Sequence, residues 1–234
     1  MNISGLNPTD LNVGDSNTVD LNAADSNTTG QPISVGPLPG LTWVPQNGAA
    51  SFDHDRGQLT VVAEPGVDWS NDSVGGSRQT DASLLGFEAP AEFSLSARVR
   101  VGGQHDGQRT TFDAGVLALW SDSDHWAKLC FEYSPAGQPM VVSVVTNEYS
   151  DDCNSSIVTS DAVYLRITRT GPAWAFHASA DGITWDFVRL FRLATTTPVH
   201  VGFLSQAPMG QSCVALFNEI RFSRSAVRDL RDGS

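Results

Sequence analysis

The sequence predicts an all-β fold, an antiparallel β-sandwich, and three observations carry that reading. From Leu41 onward apolar and polar residues alternate in short runs, the period of strands with one buried face. Turn signals separate most runs: Pro65-Gly66, Pro135-Ala-Gly137, Thr170-Gly171-Pro172, Asp181-Gly182 and Pro208-Met-Gly210. No stretch of ten or more residues in this region sustains a helical period, so no segment is available to cross over between parallel strands. A chain of 234 residues holds one sandwich with a full core and is short for two ordinary domains.

Residues 5–29 read in fives, with Asn7, Asn12, Asn17, Asn22 and Asn27 in the third place and Asp10, Asp15, Asp20 and Asp25 in the first. A five-residue period also fits a small solenoid coil, but stacked repeats need neighbours to bury a core. This stretch has three leucines and no aromatic residue, too little to offset the entropy of ordering, so a disordered N-terminal tail is expected. Gln31 to Gly40 is rich in Pro and Gly and reads as a linker, which makes residues 1–40 tail and linker. The sandwich is placed at 41–225.

Within it, Leu59 to Ala63 is a strand between Gly57 and Pro65. Phe93 to Val101 has the cleanest alternation, with Phe93, Leu95, Ala97, Val99 and Val101 facing a core and Ser94, Ser96, Arg98 and Arg100 facing away. Further strands are expected near 114–120, 126–133, 140–146, 163–169, 173–179, 184–191, 199–205 and 213–222. The polar stretch 147–155 reads as a loop. Asp181-Gly182 is a hairpin turn that sends Trp185 into the core. Ser225 to Asp232 forms at most one terminal turn, within a C-terminal tail at 226–234.

The net charge of −12 argues against nucleic acid and anionic membrane surfaces as partners, since both select basic patches. No apolar run approaches a membrane span, and the N-terminus has neither the basic nor the apolar region of a secretory signal. A soluble, cytoplasmic protein is expected, with secretion open if the N-terminus is truncated. Cys130, Cys153 and Cys213 are too few and too dispersed for a disulfide framework or zinc spacing; Cys130 and Cys213 read as buried, and Cys153 as the accessible thiol. Asp53-His54-Asp55 and Asp122-Ser-Asp124-His125 read as acidic turns, because neither completes a calcium loop. No metal and no cofactor are expected. Phosphate-loop, dinucleotide and nucleophile-elbow motifs are absent from the sequence.

The candidate site centres on Trp126-Ala-Lys128-Leu-Cys130-Phe-Glu132-Tyr133. Alternation puts Trp126, Lys128, Cys130 and Glu132 on one strand face, and Lys128 is the single lysine among fourteen basic side chains. The runs at 163–169 and 173–179 offer Tyr164, Arg166 and His177. If both hairpins line one sheet, Lys128, Glu132, Arg166 and His177 converge on a polar surface beside an aromatic ring, which suits a hydroxyl-rich ligand. The competing reading is a solvated sheet face with cross-strand ion pairs. Catalytic candidates are Lys128, Glu132 and His177. A glycosidase needs two carboxylates, and no spacing here singles out a partner for Glu132.

The order of Gly115-Val-Leu-Ala-Leu-Trp120, an acidic turn, Trp126-x-Lys128-x-x-x-Glu132, Val144-Val-Thr146, Ser150-Asp151, Tyr164-Leu-Arg166-Ile-Thr-Arg169 and Asp181-Gly182-x-x-Trp185 resembles the DUF1349 family, also called regulation-of-enolase-like. The resemblance covers residues 41–224. It implies a concanavalin A-like lectin/glucanase jelly roll with two antiparallel sheets, one of them concave. Where members often carry Ser-Asp-Trp-Ser, this chain has Ser150-Asp151-Asp152-Cys153-Asn154-Ser155, which would alter the rim of a binding face.

With that frame the expected ligand-binding set is Trp126, Lys128, Glu132, Thr146, Asn147, Asp151, Tyr164, Arg166 and His177. The expected function is binding of a carbohydrate or similar ligand on the concave face. The alternatives are an enzyme acting on a sugar or small metabolite through Lys128 and Glu132, or a protein-interaction module.

Overall fold

The computed structural model of the chain describes residues 25–26, 33–102 and 110–234. The pentad repeat, read above as a disordered tail, lies outside the described residues except for Asp25 and Ser26. The strands are β1 (Asp25–Ser26), β2 (Thr42–Val44), β3 (Ala49–Asp53), β4 (Gln58–Ala63), β5 (Trp69–Asn71), β6 (Arg78–Thr80), β7 (Leu84–Glu88), β8 (Glu92–Gly102) and β9 (Ala114–Asp122). They continue with β10 (His125–Tyr133), β11 (Pro139–Asn147), β12 (Tyr149–Ile157), β13 (Ala162–Thr170), β14 (Ala173–Ser179), β15 (Asp186–Phe191), β16 (His200–Gln206) and β17 (Cys213–Ser223).

Two large antiparallel sheets pack as a concanavalin A-like jelly roll. One runs β12-β11-β10-β9-β16-β7-β2, here the first sheet; the second runs β1-β3-β4-β17-β8-β13-β14-β15; β5 and β6 form a separate hairpin. The alternation read in β8 holds: Phe93, Leu95, Ala97, Val99 and Val101 are all buried between the sheets. They meet Leu117, Leu119, Leu129, Phe131, Phe203 and others from the first sheet in one continuous core. Edge-to-face contacts such as Phe203–Phe217, with centroids 5.0 Å apart, join the two sheets across it.

Three local readings change. Most of the 147–155 stretch is strand β12, paired with β11 across one register shift, and Asn147 itself ends β11. As a polar edge strand it lacks the one-sided apolar alternation that marks a strand in sequence. Trp185 does not enter the core; it stacks on the Arg166 guanidinium at 4.1 Å. Packing also extends beyond 41–225 in both directions. Ile33 and Val35 are buried in the core, and residues 229–233 fold over the outer face of the second sheet, where the Leu230 and Gly233 carbonyls accept hydrogen bonds from His177 and Arg166.

The first sheet draws together at β7 and β16, where Gly86 pairs with Gly202. A Cβ at Gly86 would lie 2.5 Å from the Val201 carbonyl oxygen, and one at Gly202 would meet the Leu85 carbonyl more closely still. Backbone cannot yield as a flexible side chain can. Gly202→Ala is therefore expected to lose about 1–3 kcal/mol or more in denaturant unfolding, whereas Gly102→Ala, with open space around its Cβ position, leaves the midpoint nearly unchanged.

Candidate functional site

The outer face of the first sheet is not open. Along it the register sets Trp126 beside Trp120 and Thr146, Lys128 beside Ala118 and Val144, Cys130 beside Val116 and Val142, and Glu132 beside Ala114 and Met140. The small row Lys128–Ala118–Gly202–Gly86 leaves room above the sheet. The segment carrying β5 and β6 fills it. Trp69 inserts its ring with centroids 4.7 Å from Trp120 and 5.8 Å from Trp126, and its indole N–H donates to Ala82 O. At the far end the Asn71 side chain donates to Ser123 O and Glu148 O, while its backbone N–H donates to Ser150 Oγ.

Lys128 lies beneath this hairpin, 4 % exposed. Its ammonium donates to Asp68 Oδ1 at 2.8 Å, Trp69 O at 2.7 Å and Gln206 Oε1 at 2.9 Å. Three donors meet three protein acceptors, so none is left for a ligand. Burial alone would push this amine down; Asp68, with smaller contributions from Cys130 and Glu132, holds it above the ordinary lysine value. Gln206 is fixed in turn by donating to Phe112 O. Phe112 stands at φ 66°, in the left-handed region that a bulky residue rarely adopts.

Glu132 is the group that remains available. It is 8 % exposed, and the Cys130 thiol is the one hydrogen-bonding side chain beside its carboxyl among the described residues. Burial raises it to about 7 against the opposing pull of Lys128, while Asp68 and Asp152 add to the rise. Asp152 lies on the same face, opposite Val144, and is itself raised, chiefly by burial. Asp68 Oδ1 takes Lys128 and the Trp69 N–H, and its second oxygen receives no hydrogen bond among the described residues. This end of the face thus gathers three carboxyl groups near Met140 and Val142, with Glu132 buried, Asp68 half-buried and Asp152 exposed. Burial and Glu132 also push the Cys130 thiol well up, which keeps it a neutral neighbour.

Several expected site residues are placed elsewhere. Lys128 and Glu132 do not form a pair: four strand residues separate them, about 13 Å along the backbone, and Asp68 takes the ammonium instead. Tyr164, Arg166 and His177 belong to the second sheet, so the two hairpins do not share a surface. Tyr164 donates to Glu219 there. Arg166 and His177 lie under the C-terminal turn, and burial with the neighbouring guanidinium lowers His177 to about 4. Trp126 and Thr146 are wholly buried under the hairpin. Asn147 accepts from the Ala194 N–H, tying β11 to the loop after β15. Asp151 faces the other way from Lys128 and pairs with Arg189 at 3.0 Å; its neighbour Asp152 has the Lys128 side. Asp68, Gln206 and Trp69 escape sequence reasoning because nothing local marks them. No group of three or more His, Cys, Asp or Glu among the described residues is placed to hold a metal ion. Among the same residues no helix is long and apolar enough to cross a membrane.

A family model described as a protein of unknown function (DUF1349) matches residues 43–225. Among solved structures, a functionally unknown protein from Saccharomyces cerevisiae aligns with a TM-score of 0.69 and 23 % identity, covering 80 % of this chain and 97 % of that one. The GH43 BlXynB protein from Bacillus licheniformis aligns at TM-score 0.57 and 13 % identity, over 75 % of this chain and 34 % of its own. A xylan beta-1,4-xylosidase from Bacillus halodurans C-125 gives 0.56 and 16 %, over 74 % and 34 %. This chain thus spans about a third of either bacterial protein, and the likeness is one of fold. A search of curated proteins gives no match.

Two outcomes follow from the geometry. Lys128→Met strands the Asp68 carboxylate and empties two further acceptors, a loss of roughly 3–5 kcal/mol. Thermal melting at neutral pH should fall by roughly 6–20 °C, and adding Asp68→Asn should restore part of it; a Lys128→Met variant that melts with the wild type would contradict the buried network. Glu132 has the opposite linkage. Its folded value of about 7 lies above the ordinary 4.5, so the folded state holds the extra proton between those values. Stability falls as pH rises through that window, and the penalty, about 3 kcal/mol, is complete above it. Denaturant unfolding at pH 5 and pH 8 should show a smaller decline for Glu132→Gln than for the wild type, by about that amount.

Proposed function

The chain belongs to the DUF1349 family, and we propose that its first sheet binds a hydroxyl-rich ligand, a carbohydrate, at the Glu132 end of the concave face. The observation that supports this most is the gathering of the Glu132, Asp68 and Asp152 carboxyls, where only the weak Cys130 thiol serves Glu132 and no donor among the described residues reaches the second oxygen of Asp68 or the Asp152 carboxyl. For the buried Glu132 carboxyl a thiol is a poor substitute for water, and a ligand hydroxyl supplies a better donor. Sugars present rows of such donors, together with C–H faces that suit Met140 and Val142 beside Glu132 and Cys130. Lys128 contributes by holding Asp68 and Gln206 in place rather than by touching the ligand.

A second reading rests on Glu132 alone. A buried carboxyl titrating near 7 is matched to proton transfer, so the same site supports a reaction on a bound sugar or small metabolite with Glu132 as the general acid or base.

Xylo-oligosaccharides are the first probes, because the xylosidase contains this fold within its chain. Hydrogen bonds to an ionised carboxylate are roughly twice as strong as neutral ones. Calorimetric affinity should therefore rise about tenfold or less between pH 6 and pH 8, as Glu132 ionises through about 7. Glu132→Gln should flatten that profile, and Asp152→Asn should weaken binding at both pH values. A glycan panel with no binder, or a binder indifferent to Glu132 and Asp152, would sink the proposal. Mass spectrometry of the incubated ligand separates the two readings: unchanged ligand supports binding alone, and a product that disappears in Glu132→Gln supports catalysis.

A further inference from the structure

A second site stands apart from the concave face, at the end of the sandwich where β7, the β13–β14 turn and the connection after β15 meet. A cavity of about 670 Å³ opens there. That is within the range of small-molecule sites and far larger than a lone inorganic ion requires. Its lining includes the buried apolar residues Ala89, Trp174, Leu193 and Val199. Arg169, Arg192 and Glu88 supply its charges.

The state of those charges points to a ligand. Arg169 is fixed: its Nε donates to Gly171 O at 3.0 Å, its Nη1 donates to Ala89 O and Pro90 O, and its guanidinium stacks over Trp174 at 4.6 Å. Its Nη2 has no acceptor among the described residues. Arg192 and Glu88 stand exposed at the rim, with no side-chain partner among them and no pairing with each other. The opposite wall is braced, since the Thr195 and Thr197 hydroxyls hydrogen-bond to each other and to Ser121. In a chain of net charge −12, a cavity with two guanidinium groups against one carboxylate is a local reversal of sign. The free Nη2 of a fixed guanidinium, with Arg192 at the rim and an apolar floor beside them, suits a carboxylate attached to an apolar body. Glu88 at the rim can in addition accept from a hydrogen-bond donor on the same molecule.

We propose that this cavity binds a small organic carboxylate carrying a hydroxyl or amino donor, its carboxylate on Arg192 and Arg169 and its donor toward Glu88. The site is independent of the carbohydrate reading. The test is an NMR titration of the full chain with 3-phenyllactate and with D-glucuronate, each beside its methyl ester, and with inorganic phosphate. Backbone signals of Thr195 to Thr197 and the Trp174 indole should shift with at least one acid in the millimolar range expected of fragment-sized ligands. Its ester, and the Arg192→Gln variant with the acid, should bind tenfold or more weakly. Glu132→Gln should leave these shifts unchanged, so failure of the concave site does not imitate failure here. Silence from both acids, equal shifts from acid and ester, or equal shifts from phosphate would overturn the proposal.

Discussion

Burying an ammonium on a sheet face requires that each of its three hydrogens find an acceptor, because water no longer can supply one. In this fold the demand falls on Lys128, and meeting it organises much of what lies above the first sheet. Asp68 and Trp69 O come from the segment that crosses the face, and Gln206 comes from the end of β16. The hairpin β5–β6 is thereby located by charge at one end and by the Asn71 hydrogen bonds at the other. Between those two anchors Trp69 fills the space left by Ala118, Gly202 and Gly86. A two-stranded hairpin has little stability of its own; this one is held by what lies beneath it.

That arrangement divides the outer face of the first sheet into two unequal parts. The half around Trp120, Trp126 and Thr146 is closed by the chain itself. The half around Glu132 gathers three carboxyl groups with few donors among the described residues. The second sheet has a parallel design with a different outcome: Arg166 and His177 are polar, adjacent and covered, and the C-terminal turn provides their acceptors.

The sequence carried the fold through strand alternation and turn residues, which are local signals. Phe93 to Val101 and Trp126 to Tyr133 were legible because one side of each strand is apolar without interruption. Strand β12 was not, because a solvated edge strand has no apolar face to reveal its period. Treating it as a loop also hid which of two adjacent aspartates faces Lys128; once it is a strand, parity selects Asp152. Period-two reasoning assigns side chains to faces but not strands to sheets, and so it grouped Arg166 and His177 with Lys128. The partners of Lys128 lie 60 and 78 residues away in sequence, at positions with no local mark. The lone lysine was rightly singled out, but only the packed structure shows that its role is to hold other groups.

The Trp69–Trp120–Trp126 stack has a consequence for how the molecule meets light. Three indoles within 6 Å of one another in a chain, two on the sheet and one on the hairpin above it, share their electronic transitions. Coupling of this kind adds its own bands to the ordinary sheet signal in circular dichroism. Lifting the hairpin separates Trp69 from the other two and uncouples the set. The chain therefore contains, beneath its crossing segment, an optical gauge of whether that segment is seated.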